Sequence, residues 1–576
     1  MTTVQQQLDA LAERLGDDLI SRRGDGHEHT LVVRRDRLHE TLRFLKNDPA
    51  HAFDVLMDLA AVDLADFPEA PGDGGVRGGT DGRFLVVYHL YSTRTGRRMR
   101  LKVSLSETDP TVKSVVDLWS AADWMEREAW DMLGVKFEGH HNLKRLLTHK
   151  DFVGHALRKD YPVKKGQWLL ELDDLMDELG EAPVEEDSLS ELVPMNVGPS
   201  HPATHGTFRI LCRLDGETVI KAVQEMGYLH RGFEKSAERS QYGQVVAYTD
   251  RLNYCSALMN NVGYCKTVES LLGVEIPERT RLIRVILSEI SRIMDHFVCV
   301  AACLVDIGAL TNFWYLFNVR EKLYEVIEGL TGHRLTNSYV RIGGLAYDLQ
   351  ENFVEDLRES LKQVPVAVDD VRGLIAKNQI FIDRTVGVGA ISADEALSWG
   401  FTGPCLRACG VNLDLRKADP YYGYEDFDFD VVLGSNGDTH DRIMVRLEEC
   451  LQSLRIIEQS LDRLAPGPVR VDDPRIILPP KDQVHGSIEG LMNHFVLVYE
   501  GLKPPVGEIY DFTEAANGEL GFYLLSDGSG HAYRLRVRPP CFLLYSALPR
   551  LVEGGKVADM VVTLSSLNII AGELDR

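Results

Sequence analysis

The sequence predicts an α+β protein with two domains joined by an acidic linker, and three observations support this. Residues 1–170 mix helical periodicity with segments that alternate apolar and polar side chains. Residues 171–192 contain ten acidic residues and no basic one, so this segment repels itself and cannot form a core. From residue 193 to 576 the pattern is mainly helical, with a β-rich tail. We therefore expect domains at 1–170 and 193–576.

Length and charge limit the possible functions. The chain has 576 residues, more than one core usually supports, and 44% hydrophobic residues, as in ordinary globular proteins. Its 63 basic and 87 acidic residues give a net charge of −24, which argues against a nucleic-acid surface because phosphate binding needs clustered bases. We expect no nucleic acid as a partner.

Cysteine usage and hydropathy indicate the compartment. The nine cysteines form no CxxC pair, which predicts neither a disulfide framework nor a metal ligand set, and indicates reduced thiols inside the cell. The start, MTTVQQQLDALAERL, has no apolar core, so we expect no signal peptide. The run Phe297–Phe317 is interrupted by Asp306, and its longest apolar piece is about half of the roughly 20 residues a membrane span needs. We interpret it as a buried helix.

Strand and helix signals alternate in the first domain. HTLVVRR is strand-like, and Asp36 is placed to cap a helix that runs through Phe44. The alternating segments RFLVVYHLYS and RMRLKVSLS flank TRTGR and predict a β-hairpin. Asp109 and Pro110 predict the start of another helix, since proline is tolerated at the first helical position.

A charged helix and a polar loop follow. In AADWMEREAWDMLGVKF, the side chains of Trp124, Arg127, Glu128 and Asp131 share one side of a helix that Gly134 should end. We interpret that side as a solvated charged face. The next segment, GHHNLKRLLTHKDFVGHALRKDYP, holds four histidines with little periodicity, and a polar loop of this kind usually contacts something.

The second domain begins with a turn that carries two histidines, in MNVGPSHPATHGTFRI. His201 and His205 are four residues apart, but the prolines among them disfavour a helix, so we predict a turn between extended pieces. A hairpin around Asp215 and Gly216 should follow. Histidines that hydrogen-bond a loop and histidines that bind a ligand are both compatible with this pattern.

Later segments predict long helices and a β-rich end. Pro277 should begin a helix that continues to Asp306, where a carboxylate at the inner end of a buried helix would require a basic partner such as a histidine. ISADEALSWG has the capping-box pattern, with Ser392 and Glu395 as the reciprocal pair. A long helix should span 441–464, and residues 496–576 should be β-rich and end in a helix and a strand.

These motifs resemble one family over essentially the whole chain. EREAWDMLG (126–134), GHHNLKRLL and LRKDYP (157–162) are similar to the 30 kDa subunit of respiratory NADH:quinone oxidoreductase, complex I. The motifs that resemble its 49 kDa subunit are NVGPSHPATHG (196–206), LHRGFEK (229–235), YTDRLNY (248–254), VDIGALT (305–311), VRIGG (340–344) and GELDR (572–576). The chain thus resembles the fused C/D subunits of bacterial complex I.

The resemblance implies a fold and a site. The second domain would resemble the large subunit of NiFe hydrogenases. His205 and Tyr254 would bind the two carbonyl oxygens of a quinone, and Asp306 would pair with His205. Arg231 would lie near the terminal 4Fe-4S cluster of a partner subunit without ligating it. The chain itself would bind no metal or cofactor, and NADH, FMN and the iron–sulfur clusters would belong to partner subunits.

The resemblance also implies partners and a location. These are the subunit with the terminal cluster, the iron–sulfur subunits of the peripheral arm, and the membrane-arm subunit that forms the quinone channel. The chain would lie peripherally on the cytoplasmic side of the bacterial inner membrane. Quinone reduction would be coupled to proton pumping, through a change in the charge of the His205–Asp306 pair.

Two other functions stay open, and three positions depart from the family pattern. The chain could be a scaffold that docks neighbours without chemistry, or a hydrogenase-type subunit, although the two CxxC pairs that hold nickel and iron in those proteins are missing. Ser200 stands where the family commonly has Gln or Asn, Thr336 where many members have His, and Asn568 where Asp is usual.

Overall fold

A computed structural model of the chain describes residues 11, 13–25, 28–69, 72–168, 176–180 and 192–576. They divide into two compact units: Met1–Asp173 with Leu397–Gly400 and Val506–Glu508, and Asp174–Ala396 with Phe401–Pro505 and Ile509–Arg576. Most of the acidic segment 171–192 lies outside the described residues, and so do residues 1–10. The linker and the absence of a signal peptide stay predictions.

The first unit contains a mixed five-stranded sheet in the order β1-β2-β5-β4-β3. Its strands are β1 (Leu19–Asp25), β2 (Glu28–Val33), β3 (Val55–Asp63), β4 (Phe84–Ser92) and β5 (Arg97–Leu105). Only the β2–β5 pair is parallel. Every residue of β3 and β4 is buried, so β4 lacks the exposed face that an alternating strand would have. The predicted hairpin is confirmed as β4 and β5, with Ser92 opposite Arg97.

A predicted helix cap and a predicted helix start in the first unit are both wrong. Helix α1 (Leu38–Asn47) has no side-chain cap, because the Asp36 carboxylate accepts hydrogen bonds from Arg34 instead, at 3.0 and 3.2 Å. No helix begins after Pro110: Thr111–Lys113 forms strand β6, which pairs in parallel with β7 (Lys136–Glu138). The β-branched residues Thr111 and Val112 favour a strand over a helix.

Helix α2 (Ala122–Leu133) ends at Gly134, as predicted, with a φ of 77°. Its interpretation as a solvated charged face is wrong, because Trp124, Glu128 and Asp131 are all buried. The Asp131 carboxylate accepts hydrogen bonds from the backbone N–H groups of residues 146, 147 and 148, at 3.1, 2.9 and 3.0 Å. Arg145 Nη1 donates to the same carboxylate at 2.8 Å. The polar loop is therefore organised around a buried carboxylate of the helix that precedes it.

Helices form most of the second unit. They are α3 (Met176–Leu179), α4 (Phe233–Ala237), α5 (Tyr242–Thr249), α6 (Ala257–Leu272), α7 (Glu278–Asp306), α8 (Leu310–Thr331), α9 (Phe353–Leu361), α10 (Gln363–Ile375), α11 (Gln379–Thr385), α12 (Ala393–Ser398), α13 (Gly403–Arg407), α14 (Leu415–Ala418), α15 (Thr439–Arg463), α16 (Lys481–Gly486), α17 (Ile488–Tyr499), α18 (Pro540–Ser546), α19 (Leu548–Val552), α20 (Val557–Leu567) and α21 (Ala571–Asp575).

The described part of the second unit also contains the strands of three small sheets. They are β8 (Val193–Val197), β9 (Arg209–Asp215) and β10 (Thr218–Glu225) in one sheet, β11 (Val340–Arg341) and β12 (Gly344–Leu345) in a second, and β13 (Gly507–Ala515), β14 (Gly518–Ser526) and β15 (Arg534–Arg538) in a third. The predicted hairpin at residues 215–216 is confirmed, with Asp215 opposite Thr218. The predicted β-rich tail is confirmed in β13–β15, but the predicted terminal strand is wrong, because the last element is α21.

The long helix α7 packs against α6, α8, α15 and α20. It follows Pro277, as predicted, and ends at Asp306. Its inward side chains recur at helical spacing and include Ile286, Ile290, Phe297 and Leu304, all fully buried. In the described part of the chain, no helix has both the length and the apolar character required to cross a bilayer. The other predicted long helix is confirmed as α15. The predicted capping box is present at α12, where Ser392 Oγ accepts a hydrogen bond from the Glu395 amide.

Candidate functional site

The two histidines of the opening turn have different surroundings. A short 3-10 turn, Pro202–Thr204, separates them, so the predicted turn is confirmed. The ring of His201 accepts the backbone N–H of Ala203 through Nδ1, at 3.1 Å, which is the role of a loop-stabilising histidine. His205 follows the turn with a φ of 54°, in the left-handed region that non-glycine residues rarely adopt. Thr204 fixes the turn by donating to the His201 carbonyl at 2.7 Å.

His205 contacts the carboxylate at the end of α7. Its Nε2 lies 2.9 Å from Asp306 Oδ2, and the two side chains are 32% and 12% exposed. The contact that the family resemblance implies is therefore present. Ser565, from α20, donates its hydroxyl to the same Asp306 oxygen. Among the contacts of the described residues, the His205 ring uses only Nε2, so Nδ1 is the nitrogen left for a ligand.

Tyr254 begins the short 3-10 turn Tyr254–Ser256 ahead of α6. Asn253 caps this turn by accepting the amide of Cys255 at 3.1 Å. Burial raises the pKa of Tyr254 to about 12, with smaller contributions from nearby thiols and a carboxylate. The phenol therefore stays protonated at neutral pH and can donate a hydrogen bond.

His205 and Tyr254 line one cavity of about 130 Å³. The remaining lining residues are Thr204, Cys255, Val298, Cys299, Ala302, Leu564, Ser565, Asn568, Ile569 and Ile570. They come from the opening turn, the Tyr254 turn, α7 and the region around the end of α20. The cavity thus combines a mostly apolar lining with an imidazole, a phenol and a hydroxyl, so apolar and hydrogen-bonding groups converge on one space.

Arg231 is not among the lining residues of this cavity. It is exposed, and its Nη2 donates to the Tyr248 carbonyl at 3.4 Å. The structure also adds site residues that the sequence did not single out, notably Ser565 and the thiols of Cys255 and Cys299. Ser565 and Cys299 come from segments far from Tyr254 in the sequence, whereas Cys255 directly follows it.

Two groups of side chains in the described residues have spacing that could hold a metal ion: Asp123 with His140 and His141, and Asp438 with His440 and Asp441. In the first group, His140 Nδ1 accepts the Asn142 amide at 3.0 Å and Nε2 lies 3.1 Å from the Asp123 carbonyl, so both ring nitrogens are engaged. The carboxylates of the second group already accept backbone N–H groups at the start of α15. Neither group includes a residue of the cavity.

Family comparisons define the class of protein. The family described as "Respiratory-chain NADH dehydrogenase, 49 Kd subunit" matches residues 306–576, and "Respiratory-chain NADH dehydrogenase, 30 Kd subunit" matches residues 31–167. The chain therefore carries both kinds of respiratory-chain dehydrogenase subunit in one polypeptide. His205 and Tyr254 lie before the 49 Kd match, and Asp306 is its first residue.

Individual relatives narrow this class. The chain is 50% identical to the C/D subunit of the NADH-quinone oxidoreductase of Bdellovibrio bacteriovorus over 91% of each protein, and 39% identical to that of Methylococcus capsulatus over 98% of each. It is also 50% identical to the separate D subunit of Myxococcus xanthus, over 66% of this chain and 92% of the relative. The chain belongs to the family of C/D subunits of NADH-quinone oxidoreductase, the fused form of the two complex I proteins.

Proposed function

We propose that the chain forms the quinone head-group site of a proton-translocating NADH:quinone oxidoreductase. The observation that carries this proposal is one cavity lined by His205 and Tyr254, with Asp306 hydrogen-bonded to His205. A quinone head group is a flat ring with two opposite carbonyl oxygens, so it needs two donors and an apolar lining. The family membership supports the choice of substrate, because relatives are named for the reaction between NADH and quinone.

Reduction of a quinone to a quinol consumes two electrons and two protons. The terminal 4Fe-4S cluster of a partner subunit would supply the electrons. Negative charge then develops on the carbonyl oxygens, where fixed hydrogen-bond donors stabilise it. Tyr254 donates to one oxygen as a neutral phenol, and protonated His205 donates to the other through Nδ1.

The proton from His205 leaves at Nδ1, because Nε2 faces Asp306 at 2.9 Å. After the transfer, the neutral imidazole still donates its Nε2 hydrogen to the Asp306 carboxylate. The His205–Asp306 pair no longer contains a positive charge. The second proton reaches the other quinone oxygen through the phenol of Tyr254, which regains one from its surroundings. The product is a neutral quinol.

This loss of positive charge beside Asp306 is the event that we propose to be coupled to proton pumping in the membrane arm. The carboxylate retains two donors, His205 Nε2 and the Ser565 hydroxyl, but no longer has a cation at its side. Such a change in local charge can bias a two-state element that transmits it. Pumping itself would take place in other subunits.

The partners and location follow from the same proposal. The subunit with the terminal cluster would adjoin the second unit near Arg231, which offers an exposed guanidinium. The other iron–sulfur subunits and the quinone-channel protein of the membrane arm would complete the surroundings. The chain would be a peripheral protein at the cytoplasmic side of the bacterial inner membrane, and it would bind no metal or cofactor of its own.

A pure scaffold and a hydrogenase-type subunit are the alternatives. The quinone site is tested in the purified complex by comparing NADH oxidation with a short-chain quinone and with ferricyanide, an acceptor that bypasses this site. In His205→Ala we expect selective loss of the quinone reaction. Nickel analysis tests the hydrogenase alternative.

The control for this test is His201→Ala, because His201 has the same side chain and lies in the same turn but bonds only the loop. It should retain most of the quinone activity. A scaffold role predicts that His205→Ala leaves the quinone reaction nearly unchanged, and this result would refute the proposal. Equal loss with both acceptors would instead mean a misassembled complex.

A further inference from the structure

One fully buried carboxylate of the second unit has no ion-pair partner in the part of the chain that the structure describes. Asp295 lies on α7, shortly before the cavity residue Val298, and none of its surface is exposed. A buried carboxylate is costly unless its oxygens are satisfied. The groups that satisfy it are therefore informative.

Two carboxamides satisfy Asp295, one on each oxygen. Asn253 Nδ2 donates to Oδ2 at 2.6 Å, and Asn568 Nδ2 donates to Oδ1. Both asparagines are buried, at 2% and 6% exposure. Asn568 uses its second amide hydrogen on Asn517 Oδ1, at 2.7 Å. All the donor capacity of the Asn568 side chain is thus used to fix its position.

Each carboxamide belongs to a different segment that contributes lining residues to the cavity. Asn253 immediately precedes Tyr254 and caps its turn, while its own carbonyl accepts Asn260 Nδ2 at 2.8 Å. Asn568 ends α20 in the left-handed conformation, with a φ of 57°, and it lines the cavity with Ile569 and Ile570. Asp295 is therefore the shared hydrogen-bond acceptor for two segments that the sequence separates by more than 300 residues.

We propose that Asp295 is a positioning residue for quinone reduction, which holds the Tyr254 turn and the end of α20 at a fixed separation. This inference rests on the proposed function, because it concerns how the phenol is aimed at a quinone oxygen. Asp295 does not touch the substrate, since it is not among the lining residues of the cavity.

The chemistry of the position requires a carboxylate. Both oxygens of an aspartate accept, so two NH₂ groups can face it from opposite sides. An asparagine at 295 would turn its own NH₂ toward one of these donors, and that contact would become repulsive. The negative charge also helps to keep the phenol protonated, as one of the smaller contributions to the raised pKa of Tyr254.

The test is a reciprocal exchange in the purified complex. In Asp295→Asn, the new NH₂ group faces the NH₂ group of Asn253 or of Asn568. In Asn568→Asp, the new carboxylate faces that of Asp295. In the double variant D295N/N568D, the new amide at position 295 donates to the new carboxylate at position 568 and still accepts from Asn253, while Asn517 flips and exchanges its hydrogen bond to the carbonyl of residue 568 for one to that carboxylate. We expect kcat for a short-chain quinone to fall about tenfold or more in each single variant, because small misplacements of a reacting group are costly.

The double variant should recover most of that kcat, which a general loss of stability would not explain. The KM for the quinone should change less than kcat, since the phenol acts mainly on developing charge. Activity with ferricyanide should stay near the wild-type value in all three variants. Asp511→Asn is the matched control: Asp511 is also buried, but it pairs with Lys266 and Ser270 away from the cavity.

A wild-type kcat in Asp295→Asn overturns the inference, and so does a double variant no better than the worse single variant. Should Asp295→Asn fail to assemble, Asn568→Asp and the double variant decide by the same criterion. Tyr254→Phe separates this inference from the proposed function. If Tyr254→Phe keeps full quinone activity, the proposed function fails; if it loses activity while Asp295→Asn does not, only the positioning role fails.

Discussion

Replacing Asp131 by alanine should open the polar loop that follows α2, while the sheet of the first unit stays folded. The change removes the acceptor of three backbone N–H groups and of the Arg145 guanidinium, in a place that is fully buried. Hydrogen bonds to charged groups contribute about 1.5–3 kcal/mol each, but they are not additive within one cluster. Breaking a buried charge pair costs about 3–5 kcal/mol, so we expect a local loss of about 4 kcal/mol.

Amide hydrogen exchange of the intact protein measures this loss directly. At about 1.4 kcal/mol per factor of ten, the amides of residues 146–148 should exchange roughly a thousandfold faster in Asp131→Ala. Asp151→Ala is the control, because that carboxylate belongs to the same loop and is 69% exposed. It should change exchange at 146–148 little. Rates in Asp131→Ala within about threefold of wild type would contradict the idea that this carboxylate organises the loop.

Two further predictions concern the second unit. Ser565→Ala removes one of two donors on Asp306. It should lower kcat/KM for quinone about fivefold, in line with one hydrogen bond of about 1 kcal/mol, and should leave ferricyanide reduction unaffected. An unchanged quinone reaction would show that the hydroxyl is dispensable. Burial raises the pKa of Glu573 to about 7, so the folded state holds a proton that the unfolded chain releases above its ordinary pKa of 4.5. Stability therefore falls as pH rises between these values, by up to about 3 kcal/mol. Glu573→Gln should flatten this part of the Tm–pH profile, and an equally steep profile would contradict the assignment.

The parts of the fold that the sequence predicted are those set by local pattern. Alternation of apolar residues predicted β4 and β5, and helical spacing after Pro277 predicted α7. The errors arose where a side chain had a stronger partner than the local pattern suggested. Asp36 bonds to Arg34 instead of capping α1, and Asp131 points into the unit because a loop surrounds it.

The candidate site was predictable only as separate pieces. Family motifs indicated His205, Tyr254 and Asp306, and the structure brings the first two to one cavity and the third to His205. Ser565 lies 259 residues from the carboxylate that it contacts, a relation that no sequence pattern encodes.

Asn568 illustrates the same limit. In the sequence it is only a departure from the family's usual Asp. In the structure its carboxamide donates to buried Asp295, where an aspartate would bring two carboxylates together. The identity of this residue follows from its contact rather than from its neighbours in the chain.

The left-handed conformation of His205 has a consequence for how the site can evolve. A non-glycine residue at a φ of 54° stores about 1–3 kcal/mol of backbone strain, which the folded loop already bears before any ligand enters. A ligand that binds at this loop would meet a main chain that is already ordered, so less affinity would be lost to immobilisation. Glycine at this position would relieve the strain and delete the imidazole in a single step. Selection for thermal stability alone would therefore favour a replacement that removes the imidazole of the candidate site.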